Sequence, residues 1–185
     1  MSQYLPGLAV LALWSACAGW IHFRGRERLA PGRQLFDHST LLAPVNCLLY
    51  AFSAVPARPY LPVERFPELA TLREHWREIR AEALALEHEG AVRASERLDD
   101  IGFNSFFRTG WKRYYLTWYG IEVASARRSC PRTLELLRRV PGLRAAMFAS
   151  LPPGARLVRH RDPYAGSLRY HLALTAPGDP CCALY

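Results

Sequence analysis

The first 23 residues, MSQYLPGLAVLALWSACAGWIHF, contain no Asp, Glu, Lys or Arg. The apolar run from Tyr4 to Ile21 lies near the lower length limit for a helix that crosses a bilayer. It is followed at once by RGRERLAPGR, which brings Arg24, Arg26, Arg28 and Arg33. Arginines collect on the cytoplasmic side of a span, and no Lys or Arg precedes this one. The expectation is a transmembrane anchor over residues 1–23, with its N-terminus outside and the rest of the chain in the cytoplasm. Two other readings compete. A cleaved signal peptide would carry a positive n-region, which is missing, although SACAG offers small residues for cleavage. A buried core helix would not be expected to meet so abrupt a switch from no charge to a cluster of arginines.

The chain has 185 residues, enough for one domain with a sizeable core. With half of it hydrophobic and 22% charged, it is not a disordered sequence. A formal charge of +8 favours an anionic partner. Lys112 is the only lysine, so the positive charge is borne by arginine, whose planar fork suits phosphate and carboxylate. A GC-rich genome would produce the same bias. Cys17, Cys47, Cys130, Cys181 and Cys182 form no CxxC pair and suggest neither a disulfide framework nor a zinc site, and a reducing compartment is expected.

A second apolar run, LLAPVNCLLYAFSAVP, spans Leu41 to Pro56 and is interrupted by Pro44 and Asn46. It is short for a span. A re-entrant or interfacial segment and a buried segment of a soluble domain both fit. Residues 24–65 are therefore taken as a juxtamembrane and interfacial stretch. From Phe66 the spacing predicts one helix, with Leu69, Leu72, Trp76, Ile79, Ala83 and Leu86 on one stripe and Gly90 as its C-terminal cap. His75 and His88 lie off that stripe and are expected to be solvated. A further helix is expected from about Pro131, with Leu134, Leu136 and Leu137 inward.

Between the two helices lies GFNSFFRTGWKRYYLTWYG, Gly102 to Gly120. Its aromatic residues are Phe103, Phe106, Phe107, Trp111, Tyr114, Tyr115, Trp118 and Tyr119, with Arg108, Lys112 and Arg113 interleaved. Such mixtures occur in single-strand nucleic-acid sites and at membrane interfaces. Beside an N-terminal span the interface is the better of these two, and no nucleic-acid partner is expected. KRYYLTWY also has the composition of a β-strand with aromatics alternating into a core. No Gly-rich phosphate loop of the GxGxxG or GxxxxGKS type is present.

The chemistry-bearing stretch is RHRDPYAGSLRYHLAL, Arg159 to Leu174. Pro153-Gly154 before it and Pro163 to Gly166 within it are turn signals. SLRYHLAL alternates, so a strand would place Leu168, Tyr170, Leu172 and Leu174 on one face and Ser167, Arg169, His171 and Ala173 on the other. In an extended chain His160 and Asp162 also share a face. Two His and one carboxylate on one face of a metal, with the other positions open, is the arrangement of non-haem Fe(II) oxygenases, in which co-substrate and oxygen must both reach the metal. An HxD alone is weak evidence. A surface hairpin with Asp162 paired to Arg159 or Arg161 fits the spacing equally well.

MFASLPPGARLVRHRDPYAGSLRYHLAL resembles the aspartyl/asparaginyl β-hydroxylase family of Fe(II)/2-oxoglutarate dioxygenases. DHSTLLAPVNCLLYAFSAVPARPYL, FPELATLREHWREIRAEAL and DIGFNSFFRTGWKRYYLTWY resemble its bacterial membrane branch, the lipid A acyl-chain 2-hydroxylases. The resemblance implies Fe(II), 2-oxoglutarate and O2 as metal and co-substrates. It matches His160 and Asp162 to iron ligands, and Arg169 and His171 to positions that contact 2-oxoglutarate. Peptide-modifying relatives typically lack the acid, so Asp162 favours the lipid branch. The implied protein is α+β: a transmembrane helix, a helical segment, and a double-stranded β-helix (jelly-roll or cupin-like) within residues 66–185. The family's distal iron-binding His and a second Arg lie on later strands. The chain is therefore expected to be truncated at its C-terminus, with an incomplete dioxygenase domain. The implied partners are lipid A or its precursor and anionic inner-leaflet lipids, at the inner (cytoplasmic) membrane with the catalytic part facing the cytoplasm. Hydroxylation of an Asp or Asn side chain and a non-enzymatic membrane-surface role are the alternatives.

Overall fold

The structure, a computed structural model, describes residues 4–24, 28, 30–90, 93–94, 112–155 and 162–178. The described residues divide into two units. The first draws on Met1–Tyr60 and Arg159–Tyr170, the second on Leu61–Val158 and His171–Tyr185.

The first unit begins with α1, Leu5–Arg24, a 20-residue helix of which only Ile21 is buried. It is long and apolar enough to cross a membrane. Three short helices follow: α2 (Pro31–Leu35), α3 (His38–Leu41) and α4 (Ala43–Phe52). Asp37 caps α3, its carboxylate accepting from the Ser39 amide at 2.9 Å and from the Ser39 hydroxyl. The Gln34 side chain joins His22 Nδ1, at 2.9 Å, to the Thr40 hydroxyl. Pro44 and Asn46 do not break the second apolar run. Pro44 sits in the first turn of α4, where a missing N–H costs nothing, and the helix continues through Asn46. The Cys47 thiol lies 3.8 Å from the Cys17 carbonyl oxygen, which brings α4 against α1.

The second unit is the α+β part. Short 3-10 turns at Val63–Arg65 and Pro67–Leu69 lead into α5 (Ala70–Glu74) and α6 (Trp76–His88). The single helix expected from Phe66 is thus divided at His75, whose backbone (φ −98°, ψ 18°) leaves the helical region. The apolar stripe survives the break. Leu72, Ile79 and Leu86 are buried, and Gly90, at φ +66°, ends α6 with its N–H on the Glu87 carbonyl. His75 contacts Glu78 at 2.6 Å, while His88 is exposed.

A sheet of β1 (Arg93–Ala94), β2 (Lys112–Trp118), β3 (Ile121–Glu122) and β4 (Ala145–Ser150) is antiparallel throughout, with β2 central. KRYYLTW is therefore a strand. Of the aromatic stretch around it, residues 102–111 lie outside the described residues. β2 turns into β3 through Tyr119 and Gly120, at φ 47° and 84°. Two central residues with positive φ make this a hairpin turn whose twist matches its strands. Between β3 and β4 come α7 (Ala124–Ser129) and α8 (Pro131–Leu137), and Leu134, Leu136 and Leu137 are buried as expected. The N-terminus of α8 has no cap of its own. Glu82 of α6 takes that place, accepting from the Arg132 and Thr133 amides at 2.9 and 2.8 Å.

After β4 the chain turns at Pro153-Gly154. Gly154 has φ +74°, and the Ala155 N–H bonds the Pro152 carbonyl at 3.1 Å. Proline followed by a positive-φ glycine suits a type II turn. SLRYHLAL departs from expectation, because Ser167 to Leu174 is irregular and forms no strand. Alternation decides which side chains would share a face, but a strand also needs a hydrogen-bonded neighbour. The alternation still shows in burial. Tyr170, Leu172 and Leu174 are half-buried, whereas Ser167, Arg169, His171 and Ala173 are exposed; Leu168, expected on the inward face, is also exposed.

Candidate functional site

Two clusters of charged side chains can be built from the residues upward. The first is the loop from Asp162 to Arg169. Its turn is fixed from a distance by Asn46 of α4, which is 3% exposed. The Asn46 amide donates to the Pro163 carbonyl at 2.9 Å, and its oxygen accepts from the Ala165 N–H at 2.9 Å. One buried side chain thus satisfies two backbone groups of a turn more than a hundred residues further along the chain. Glycine at 166 leaves room for the Tyr164 ring, whose Cζ would lie 2.5 Å from a Cβ there.

Across this turn the Arg169 guanidinium donates to the Asp162 carboxylate. Asp162 therefore pairs with Arg169; Arg159 and Arg161, the partners expected for it, lie outside the described residues. The two side chains are 36% and 55% exposed. An ion pair this open to water holds its partners weakly and gives each up readily to a stronger one. Asp162 is thus an accessible oxygen donor beside an accessible guanidinium. His160 lies outside the described residues. His171 is exposed and falls in the second unit. The four residues singled out by sequence are thus represented together by one pair, Asp162 with Arg169. Among the described residues no three His, Cys, Asp or Glu side chains gather in a group fit for a metal.

The second cluster lies on the sheet. Arg113 is 9% exposed, and its Nη1 donates to the Tyr115 hydroxyl at 3.1 Å. Its guanidinium carbon stands 5.5 Å from the Tyr115 ring centroid. In the ladder Arg113 pairs with Ala149, and Tyr115 with Met147. A register shift between Tyr115 and Thr117 marks a bulge there. Ala149 is thus directly opposite a nearly buried cation. In the sequence Arg113 stands out only as one of three basic residues interleaved with aromatics. The signal that could have singled it out was an arginine within a strand of aromatics, where a charge facing inward needs partners.

Comparison with known proteins gives this geometry its context. A 69-residue stretch is 41% identical to the ornithine lipid ester-linked acyl 2-hydroxylase of Rhizobium tropici. That match covers 37% of this chain and 25% of the relative, so the chain spans about a quarter of that protein's length. No solved structure matches. The family model for aspartyl/asparaginyl beta-hydroxylases matches residues 73–185, a range that takes in most of the α+β unit and the Asp162, Arg169 and His171 positions. The chain belongs to the aspartyl/asparaginyl β-hydroxylase family.

Proposed function

We propose that this chain is the whole or part of a membrane-attached Fe(II)- and 2-oxoglutarate-dependent dioxygenase that hydroxylates carbon 2 of an acyl chain on a bacterial membrane lipid. The observation that carries this reading is the joining of a hydroxylase-family unit to an almost wholly exposed apolar helix, α1. A substrate confined to the bilayer gives that helix a purpose. The similarity to an acyl 2-hydroxylase supports the same reaction class. Lipid A is the substrate suggested by sequence resemblance, and an ornithine lipid is the one named for the relative. The target position, a C–H next to an ester carbonyl, is common to both. The catalytic part would face the cytoplasm at the inner membrane, where the arginines after α1 suit anionic headgroups.

The donor types fit the group that the family implies. Asp162 offers an exposed carboxylate, and His160 stands two residues before it. Completed by a second His, and with the remaining positions open, such ligands would suit Fe(II). Bound there, iron with 2-oxoglutarate and O2 would supply the oxidation: one oxygen atom enters the substrate C–H, the other enters the co-substrate, which leaves as succinate and CO2. The role of Arg169 would be to hold a co-substrate carboxylate through charge-assisted hydrogen bonds, with His171 beside it. The Asp162–Arg169 pair would open on loading, each group exchanging the other for a stronger partner. The double-stranded β-helix expected of such a domain belongs to the same proposal.

The test is mass spectrometry of lipid A and ornithine lipids from cells expressing the chain, with His160→Ala as control. The expected result is one lipid class heavier by one oxygen, with fragmentation placing the hydroxyl on carbon 2, absent in the control. Unchanged lipids of every class would remove the activity from this chain.

A further inference from the structure

The first unit has its polarity reversed. Its fully buried positions include Ser39, Thr40 and Asn46, each 3% exposed, and Ala43 at 0%. The three polar side chains are all bonded: Ser39 to Asp37, Thr40 to the Gln34 carbonyl, and Asn46 to the turn at Pro163–Ala165. Its large apolar side chains point outward, and on α4 Val45, Leu48 and Phe52 are 46%, 60% and 83% exposed. The second unit is ordinary, with Leu86, Leu134 and Leu136 at its centre. An element that hides its polar groups and presents its apolar ones is built for an apolar solvent.

The depth of α4 can be read from α1. Arg24 ends α1, with its guanidinium 5.1 Å from the Trp20 ring centroid and 3.8 Å from that of Tyr50. Trp20 and Tyr50 meet edge to face at 5.9 Å. Arginine on tryptophan and tyrosine is the composition of a headgroup layer. Cys47 meets α1 at Cys17, seven residues before Arg24. At about 1.5 Å per residue that is roughly 10 Å further along α1, beneath the headgroups if α1 crosses the membrane. The ten residues of α4 extend about 15 Å, half a hydrocarbon core, so α4 does not itself cross.

We propose that α4 is a second lipid-embedded helix, seated against α1 in the leaflet on its arginine side, with Leu48 facing acyl chains and Phe52, beyond Tyr50, meeting lipid at the headgroup boundary. The occupant of this face is bilayer lipid, because the face continues the apolar surface of α1 and is bordered by the Arg24 cluster. The inference rests on the membrane attachment proposed above. It adds a consequence for the site: Asn46 holds the Asp162–Arg169 loop against an embedded helix, near the depth of the first acyl carbons of a lipid.

Photocrosslinking of the full chain in cell membranes tests this. Benzoylphenylalanine is placed singly at Leu48, Phe52, Leu11 and Ile121, and adducts are identified by mass. Leu11 of α1, 58% exposed, reports the attachment itself, and Ile121 of the second unit, 72% exposed, is the exposed apolar control. Lipid adducts are expected at Leu48, Phe52 and Leu11, with none at Ile121. Lipid at Leu11 with none at Leu48 and Phe52 would overturn the placement of α4 and leave the anchor standing. Cross-linked dimers at Leu48 or Phe52 would replace lipid by a second copy. No lipid at Leu11 would overturn the attachment and this inference together.

Discussion

Replacing Asp162 by Asn separates a structural carboxylate from a metal ligand, because the two roles predict different magnitudes. In the structure Asp162 pairs with Arg169, and the side chains are 36% and 55% exposed. A pair so open to solvent is worth about 0.2–1 kcal/mol. For a chain of this size, 1 kcal/mol moves Tm by about 2–4 °C. The metal-free variant should therefore melt no more than about 4 °C below the parent. As an iron ligand Asp162 would account for far more. A ligand that saturates a site a hundred-fold above its Kd stabilises the folded state by about 2.7 kcal/mol, or roughly 5–10 °C here. Anaerobic Fe(II) should raise the parent's Tm by that amount and leave the Asp162→Asn variant unmoved. Arg169→Ala should retain the iron shift and weaken 2-oxoglutarate binding by about ten- to hundred-fold, the value of one charge-assisted contact. Differential scanning fluorimetry in nanodiscs reads the iron arm, and titration calorimetry with 2-oxoglutarate reads the other. An Asp162→Asn variant that melts more than about 8 °C low and still gains stability from iron would refute the reasoning, for the carboxylate would then serve the fold alone.

The structure supports two further predictions in the second unit. Glu82→Ala removes the acceptor that satisfies two amides at the start of α8. It should cost about 2–3 kcal/mol and lower Tm by roughly 5–10 °C, and a change under about 2 °C would show that water replaces the cap. Glu122 accepts from Arg138 Nε at 2.7 Å and Nη2 at 3.0 Å, and these bonds hold its carboxyl below the usual range. A carboxyl depressed on folding binds fewer protons than in the unfolded chain, so its stabilisation is complete above the unfolded value, about 4.3, and fades as pH falls through the folded one. Acid titration of Tm should therefore show a shallower loss below about pH 4 in Glu122→Gln than in the parent, and parallel curves would exclude this contribution.

What the sequence reveals and what it withholds divides along a physical line. Leu134, Leu136 and Leu137, the stripe through Leu72, Ile79 and Leu86, and the caps and turns at Gly90 and Pro153-Gly154 depend on neighbours within a few residues, and all were legible. The division of the long helix at His75 was not, since the apolar stripe runs through it unchanged. SLRYHLAL has the alternation of a strand but lies irregular, because pairing belongs to a second segment that alternation cannot supply. Asn46 is the sharpest case. In sequence it is a polar residue interrupting an apolar run, and by that token a breaker. In the structure both ends of its amide bond a turn 117 and 119 residues away, at the Pro163 carbonyl and the Ala165 N–H. An amide buried without such partners would cost roughly 1–3 kcal/mol, so only a remote partner makes its position intelligible. The same separation bears on function. The Asp162–Arg169 pair is local to one loop, whereas what holds that loop is a helix near the other end of the chain. On the proposed reading, with the substrate in a bilayer, the depth of the loop would matter as much as the ligands it carries, and Asn46 would be the residue through which α4 fixes it.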